Sequence, residues 1–528
     1  MHPYARPLAD LFTFLLPEMV LVAFACVIFL GGLLRTDRRL WGGAALAAIA
    51  LAFAVHMFTA LGWVEASFGA NADAALGVPL LFDSLAGWTR VLALAAGTLF
   101  VLLAWDDVPE KQTADHHACL LIILAGVSLI GASNDLITLF LALEMVSIPT
   151  YVLLYLPRHD DASQEASIKY FLLSVFSSAI VLFGFSYLYG LTGTTNIAGI
   201  LQALYGATGE QSSTIAGTAQ IALLTIAAGL GFRITAVPFH FYAPDVFQGT
   251  STSGAAFLSY IPKIAGFIAL IRVLGFIVPG SVNMHGHSAG VALTEQTPTL
   301  CWFLAVLTMT LGNVLALMQD NLKRLFAYSS IAHAGYMLVA LATAPYLGGA
   351  DSATSGVAAV LFYLVAYGAM TLGIFAVIAM LHRPERSVET VDDLAGLAKT
   401  HPRTALAATI LLLSLIGFPL TAGFAGKFNI FFGAISVQGF GWLYPALALV
   451  GVVNAAIGAW YYLRIIGVMY LRTAIKPIET VGAFPVRTAV LLCVIATLAL
   501  AVPPGASWLL GSAQQTTTRP APVAQRAP

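Results

Sequence analysis

Apolar stretches of about 20 residues recur along the whole chain, separated by short polar loops, which is the length a helix needs to cross a bilayer core of about 30 Å. Alternation at period two is absent, which argues against a porin-like barrel. The pattern predicts an all-α polytopic membrane protein of about fourteen spans. They fall near 13–34, 42–62, 84–105, 117–133, 136–156, 167–192, 217–240, 252–276, 299–319, 322–343, 354–382, 404–434, 443–471 and 487–510. The first is too long for a signal-peptide core and reads as a retained span. A tail from Gln514, rich in Thr, Pro, Ala and Gln, is expected to be disordered.

Two of the segments are interrupted in similar ways. One reads Gly229-Leu-Gly-Phe-Arg-Ile-Thr-Ala-Val-Pro-Phe-His240, the other Gly417-Phe-Pro-Leu-Thr-Ala-Gly-Phe-Ala-Gly-Lys427. Each sets Gly, Phe, Pro and a Thr-Ala pair beside a cation. Proline removes a helix hydrogen bond and glycine loosens the turn, so each helix is expected to break within the membrane. The breaks lie about 190 residues, or five spans, apart, and an odd repeat length inverts the second unit, as in transporters built from inverted repeats. Two ordinary proline kinks are the alternative.

Composition sharpens this picture. The chain is 59% hydrophobic and 9% charged, against about 25% charged in a soluble domain. Its net charge of −1 leaves no basis for nucleic acid as a partner. Basic residues collect on alternate loops, including Arg35, Arg38, Lys111, Arg158, Lys323, Arg324, Lys399, Arg403 and Arg472. The positive-inside rule then puts those loops in the cytoplasm and both termini on the other side. The four cysteines (Cys26, Cys119, Cys301, Cys493) stand singly, so neither a metal cluster nor a disulfide is supported.

Against this apolar background a few charges stand out: Glu144 within Leu136–Leu156, Arg233 at the first break, Lys263 within Phe257–Ile271 and Lys427 after the second break. Each costs about 2.5–3.5 kcal/mol at mid-membrane on insertion scales, or roughly 10 kcal/mol together. Such a cost is carried for ion or proton movement, for substrate binding or for interhelical pairing.

At this point the chain resembles a known family. Leu141-Ala-Leu-Glu-Met-Val-Ser147, Glu165-Ala-Ser-Ile-Lys-Tyr-Phe171, Gly231-Phe-Arg-Ile-Thr-Ala-Val-Pro-Phe-His240, Pro244-Asp-Val-Phe-Gln-Gly249 and Asn321-Leu-Lys-Arg-Leu-Phe-Ala-Tyr-Ser-Ser-Ile-Ala-His-Ala-Gly-Tyr336 are similar to blocks of the antiporter-like membrane subunits of respiratory complex I. Their wording is most similar to the subunit N family of bacterial NADH-quinone oxidoreductase. The resemblance covers about residues 117–472; the first three spans and the last match by length and position.

The resemblance implies a five-helix repeat over 117–276 and an inverted second repeat over 299–472; around them the apolar and charge patterns give N-terminal helices over 1–116, a non-cytoplasmic loop at 277–298, a last helix in 473–510 and a disordered tail at 511–528. It implies a proton-translocating subunit, in the cell inner membrane, with no cofactor of its own. NAD, FMN, iron–sulfur clusters and quinone would then belong to partner subunits of the hydrophilic and membrane arms. The same fold serves multisubunit cation/proton antiporters, which is the rival reading; a scaffold without transport is another.

Residue by residue, Glu144 matches the family's carboxylate in the fifth span, a switchable group because burial and a nearby cation act oppositely on its charge. Lys263 matches the lysine of the eighth span, where a buried lysine can act as a proton relay. Ser259 and Tyr260, one turn back, supply hydroxyls. Lys427 matches the cation after the twelfth span's break, and Lys169 a lysine at the start of the sixth. His333 shares a helix face with Ser329 and Tyr336 and would link Lys263 to Lys427. His240 adjoins the first break and would link Arg233 to the cytoplasm. The blander alternatives are an ion pair for Glu144, snorkelling for the two buried lysines, a solvated helix-end charge for Lys169 and satisfied polar positions for the histidines. Arg233 departs from the family, which usually has lysine there. Arginine stays protonated, so it can hold Glu144 ionised through a bidentate contact but cannot release a proton.

Overall fold

A computed structural model describes residues 5–60, 78–157, 160–206, 210–274, 291–347, 355–382, 388–473, 479–480 and 484–516. Most of the expected loop at 277–298 and of the tail at 511–528 lies outside these residues. What is described is helical almost throughout. In chain order the helices are α1 (Ala5–Gly32), α2 (Arg38–Ala60), α3 (Ser84–Leu103), α4 (Thr113–Ala132), α5 (Leu136–Tyr155), α6 (Asp161–Thr192), α7 (Ile197–Gly206), α8 (Glu210–Arg233), α9 (Ala243–Gly249) and α10 (Thr252–Val273). They continue with α11 (Val291–Leu317), α12 (Leu322–Thr343), α13 (Gly356–Met380), α14 (Leu397–Thr400), α15 (Pro402–Ile416), α16 (Ala422–Ser436), α17 (Leu443–Leu471), α18 (Phe484–Ala499) and α19 (Pro503–Gln515). Two residue pairs, β1 (Leu381–His382) and β2 (Glu479–Thr480), form an antiparallel ribbon.

Eleven helices among the described residues are long and apolar enough to cross a membrane: α1 to α6, α10 to α13, and α17. The three other expected spans are those in which the helix is interrupted. The segment at 217–240 ends as α8 at Arg233, and that at 404–434 is split into α15 and α16. The one at 487–510, read from sequence as a single span, is α18 and α19 bent by 89°. Two boundaries also move: α11 begins within the expected loop, and α19 runs to Gln515, past the expected start of the tail.

Local sequence explains the starts and stops. Asp83, Asp135, Asp160, Ser251 and Asn321 cap α3, α5, α6, α10 and α12 by accepting from backbone N–H groups that have no partner within the helix. Gly417, at φ +92°, ends α15 in the left-handed conformation that favours glycine. Its N–H and that of Phe418 both bond back to Leu413 O, at 3.1 and 3.0 Å.

Three helices form the axis. The membrane-length stretch of α10 is entirely buried, and those of α12 and α13 are 94% buried, while α6 and α17 are buried along less than half of theirs. Small residues permit the close packing. A Cβ at Gly335 of α12 would meet Met309 N of α11 at 2.5 Å, and one at Gly368 of α13 would meet the Tyr260 hydroxyl of α10 at 2.4 Å. Polar groups on these three helices therefore find partners inside the protein: on one another, in the break after α8 and on α17.

Candidate functional site

At the first break, α8 ends at Arg233, and Thr235 follows at φ +58°. The carbonyls this frees are taken up nearby. Ser177 donates to Gly229 O at 2.7 Å, Ala236 N to Gly231 O at 2.8 Å and Tyr242 to Phe232 O at 3.0 Å. Backbone groups in a lipid setting need partners within the protein, and these three carbonyls have them.

Arg233 reaches across to α5 and α6. Its Nη2 lies 3.3 Å from Glu144 Oε1 and donates to Ser178 Oγ at 3.2 Å. Its Nη1 donates to Ser147 Oγ at 2.7 Å and to Leu143 O at 3.3 Å. Ser178 donates to the same Glu144 oxygen at 2.6 Å. The expected bidentate contact is thus replaced by a single-oxygen pair: one arm of the guanidinium serves Glu144 and Ser178, the other α5 itself. Arg233 is buried, whereas the Glu144 side chain keeps 21% of its surface on the outside of the bundle.

Lys263, on α10, has no exposed surface. Its Nζ donates to Thr235 Oγ1 at 3.1 Å and to Ser330 Oγ on α12 at 2.6 Å. No ion pair to it occurs among the described residues. Of the hydroxyls expected one turn back, that of Ser259 donates to its own helix at Ala256 O, 2.6 Å away.

His333 lies three residues beyond Ser330 on the same face of α12. Its Nδ1 is 2.6 Å from the Tyr363 hydroxyl on α13 and its Nε2 3.2 Å from the Tyr462 hydroxyl on α17. Ser329 also bonds Tyr462. Tyr336, the next turn of α12, sets its ring edge-on to His333 at 5.6 Å and carries Lys427 Nζ over its face at 4.8 Å. Its hydroxyl accepts from Asn313 at 3.0 Å.

Lys427 is buried, with 6% exposure, so it does not snorkel. Its Nζ donates to Leu415 O at 2.9 Å and Ile416 O at 3.0 Å, the carbonyls that Gly417 leaves free where α15 ends. A cation there also meets the negative end of the helix dipole. Each break thus has a lysine beside it: Lys263 on the Thr235 hydroxyl, Lys427 on the freed Leu415 and Ile416 carbonyls.

The arrangement is a line of polar side chains through the bundle: Glu144–Arg233, then Lys263–Ser330, then His333 with Tyr363 and Tyr462, then Lys427 over Tyr336. Donors that are also acceptors dominate it, which is the chemistry that hands on protons. Two expected members stand apart. Lys169 is partly exposed and ion-paired with Glu165 at 2.5 Å and Asp245 at 3.5 Å, and Arg324 pairs with the same Asp245. His240 is half-buried in the first break and none of the bonds in this line reaches it.

Sequence reasoning missed Thr235, Ser330, Tyr363 and Tyr462, whose types carry no signal until helix faces are known. It also missed a buried triad in the N-terminal helices. Arg90 donates to both oxygens of Glu18, at 2.7 and 2.9 Å, and meets His56 Nδ1 at 3.2 Å. The signal was present, since Glu18 and Arg90 are charges in apolar segments like Lys263.

The family model described as NADH:quinone oxidoreductase/Mrp antiporter, TM matches residues 133–458. NADH-quinone oxidoreductase subunit N of Trichlorobacter lovleyi is 40% identical over 83% of this chain and 84% of its own length. A chain of respiratory complex I from Thermus thermophilus has a TM-score of 0.72 at 30% identity, covering 93% of this chain and 97% of that one. A chain of the Mrp complex from Dietzia sp. has a TM-score of 0.75 at 20% identity, covering 95% and 97%, a likeness of fold alone. The matched region contains both breaks and every residue of the polar line except Tyr462, and on these grounds the chain belongs to the NADH:quinone oxidoreductase/Mrp antiporter transmembrane family, among the relatives named subunit N.

Proposed function

We propose that this chain is a proton-translocating membrane subunit of an NADH-quinone oxidoreductase, moving protons along the line Glu144, Arg233, Lys263, His333 and Lys427 while partner subunits oxidise NADH and reduce quinone. The observation that carries this reading is Lys263: a fully buried lysine with no carboxylate partner among the described residues, held by two hydroxyls midway along the line. A lysine kept only for stability would have been paired or replaced by an apolar residue.

On this reading Glu144 and Arg233 are the switch. Arginine does not titrate, so the switch works by moving or releasing a fixed charge when Glu144 gains or loses its proton. Lys263, His333 and Lys427 are the carriers, with Tyr363, Tyr462 and Tyr336 between them. The two halves, 117–276 and 299–472, are inverted repeats; the reading rests on the matching breaks, each with a positive-φ residue (Thr235 and Leu420) and a lysine held beside it, on the Thr235 hydroxyl at the first and on freed carbonyls at the second. NAD, FMN, iron–sulfur clusters and quinone sit in partner subunits, and the assembly lies in the inner membrane with both termini of this chain on the non-cytoplasmic side.

Tagging the chain in its native membrane and identifying what purifies with it tests the reading. Flavin- and iron–sulfur-bearing subunits are expected to come along. A stable complex made only of antiporter-type subunits would overturn it and favour the Mrp-like alternative.

A further inference from the structure

The first break holds a threonine in a conformation that threonine adopts poorly. Thr235 has φ +58°, a region where a β-branched residue is strained and glycine or asparagine is not. Such an outlier persists when the surroundings over-determine it and points to use. Here the use is visible. The hydroxyl donates to Ile234 O at 2.6 Å, so its hydrogen is committed and its lone pairs are left for Lys263 Nζ at 3.1 Å.

The turn is docked by a second residue. Gly266 lies one turn beyond Lys263 on α10, and a Cβ there would sit 2.5 Å from Ile234 Cγ2 and 3.4 Å from Arg233 Cβ. Only glycine lets the break lie this close to α10. The far side is pinned by Val237 N, which donates to Thr308 Oγ1 of α11 at 3.0 Å.

We propose that the Thr235 turn, seated on Gly266, is a positioning element that aligns Lys263 with Ser330 for proton transfer. It rests on the reading of Lys263 as a proton carrier. Thr235 fixes one hydrogen bond of the ammonium, which leaves Lys263 directed at Ser330 and so toward His333. Because Arg233 is two residues earlier in the same turn, a shift of Arg233 when Glu144 changes protonation is delivered to Lys263 through the backbone. The turn is then the mechanical join between the outer pair and the buried carriers.

The test uses the assembled complex reconstituted in vesicles, with the Thr235→Ser, Thr235→Gly, Gly266→Ala and Lys263→Met variants. Assembly is followed by complex content and by NADH oxidation with a soluble artificial acceptor, and proton translocation is measured per NADH with quinone as acceptor. Thr235→Ser keeps the hydroxyl and is expected to pump close to wild type. Thr235→Gly relieves the backbone strain, is expected to assemble at least as well as wild type, and is expected to pump several-fold less. Gly266→Ala displaces the turn and is expected to lower pumping in the same way.

Wild-type pumping by Thr235→Gly overturns the proposal, and so does failure of that variant to assemble, since either outcome makes the turn structural only. Equal losses in Thr235→Ser and Thr235→Gly overturn the role of the hydroxyl. Lys263→Met separates the two levels. If it pumps normally, the reading of Lys263 as a carrier fails; if it does not pump while Thr235→Gly does, the positioning proposal alone fails.

Discussion

Arg233 and Thr235 stand two residues apart where α8 breaks, yet they hold different charges: Arg233 Nη2 lies 3.3 Å from Glu144 Oε1, and Thr235 Oγ1 lies 3.1 Å from Lys263 Nζ. An unbroken helix would point residues two apart to opposite sides and carry the second away from α10. The left-handed step at Thr235 redirects the chain, so one turn touches both an ion pair at the bundle's edge and a lysine at its centre.

The fork of Arg233 sets what a replacement must supply. Lysine keeps the charge but has no planar fork, so it can satisfy Glu144 with Ser178, or Ser147 with Leu143 O, but not both in the same geometry. Arg233→Lys is therefore expected to assemble and to pump at a reduced rate. Arg233→Ala leaves Glu144 without its cation; breaking a buried pair costs about 3–5 kcal/mol, less where one partner is partly exposed as Glu144 is. Its pumping is expected to fall further than its assembly. Proton translocation per NADH by the two variants checks this, and equal pumping by wild type and Arg233→Ala would show that the pair is only structural.

Much of the site is legible in the chain itself, because the cost of burying a charge in an apolar segment is enough to single out Glu144, Arg233, Lys263 and Lys427. Pro and Gly locate both breaks for the same kind of reason. What the chain does not show is which hydroxyl meets which lysine. Ser259 and Tyr260, one turn back along α10, are expected to supply hydroxyls near Lys263; the lysine itself bonds across to Thr235 and Ser330, and Ser259 donates within its own helix. Lys169 resembles the other lysines in type and position, but it lies at a helix start within reach of Glu165 and Asp245, where solvent and surface pairs settle its charge. The bend between α18 and α19 escapes a reading by composition because apolar residues continue through Pro503 and Pro504, which open the second helix.

Lys427 combines two jobs that a single substitution can separate. Its ammonium both caps the end of α15 and stands in the carrier line. Lys427→Gln keeps N–H donors for the Leu415 and Ile416 carbonyls but cannot carry a proton as an ammonium does. Assembly close to wild type with lost pumping is expected. Lys427→Met removes the cap as well, and a buried carbonyl left without a partner costs about 1–3 kcal/mol, so its complex content is expected to drop too. If Lys427→Gln pumped normally, Lys427 would be a cap and nothing more.

The Glu18–Arg90–His56 triad predicts a contrasting phenotype. It ties α1, α2 and α3 together, with Arg90 Nη2 also donating to Phe14 O at 3.0 Å. Arg90→Ala strands the Glu18 carboxylate and is expected to destabilise this three-helix unit by about 3–5 kcal/mol. The loss should show in thermal stability and complex content. Protons moved per NADH by the complexes that do assemble should stay at the wild-type value, because none of the triad's bonds reaches the carrier line.

Proton transfer through the bundle depends most on Lys263, which makes Lys263→Met the direct measurement. Methionine fills a similar volume without a charge, and Thr235 and Ser330 can bond elsewhere once the ammonium is gone. Purified complex carrying the variant is reconstituted in sealed vesicles, and protons translocated per NADH oxidised by quinone are compared with wild type at equal complex content. NADH oxidation by a soluble artificial acceptor is expected to be unchanged, and the number of protons per NADH to fall. An assembled Lys263→Met complex that moves as many protons per NADH as wild type would contradict the account.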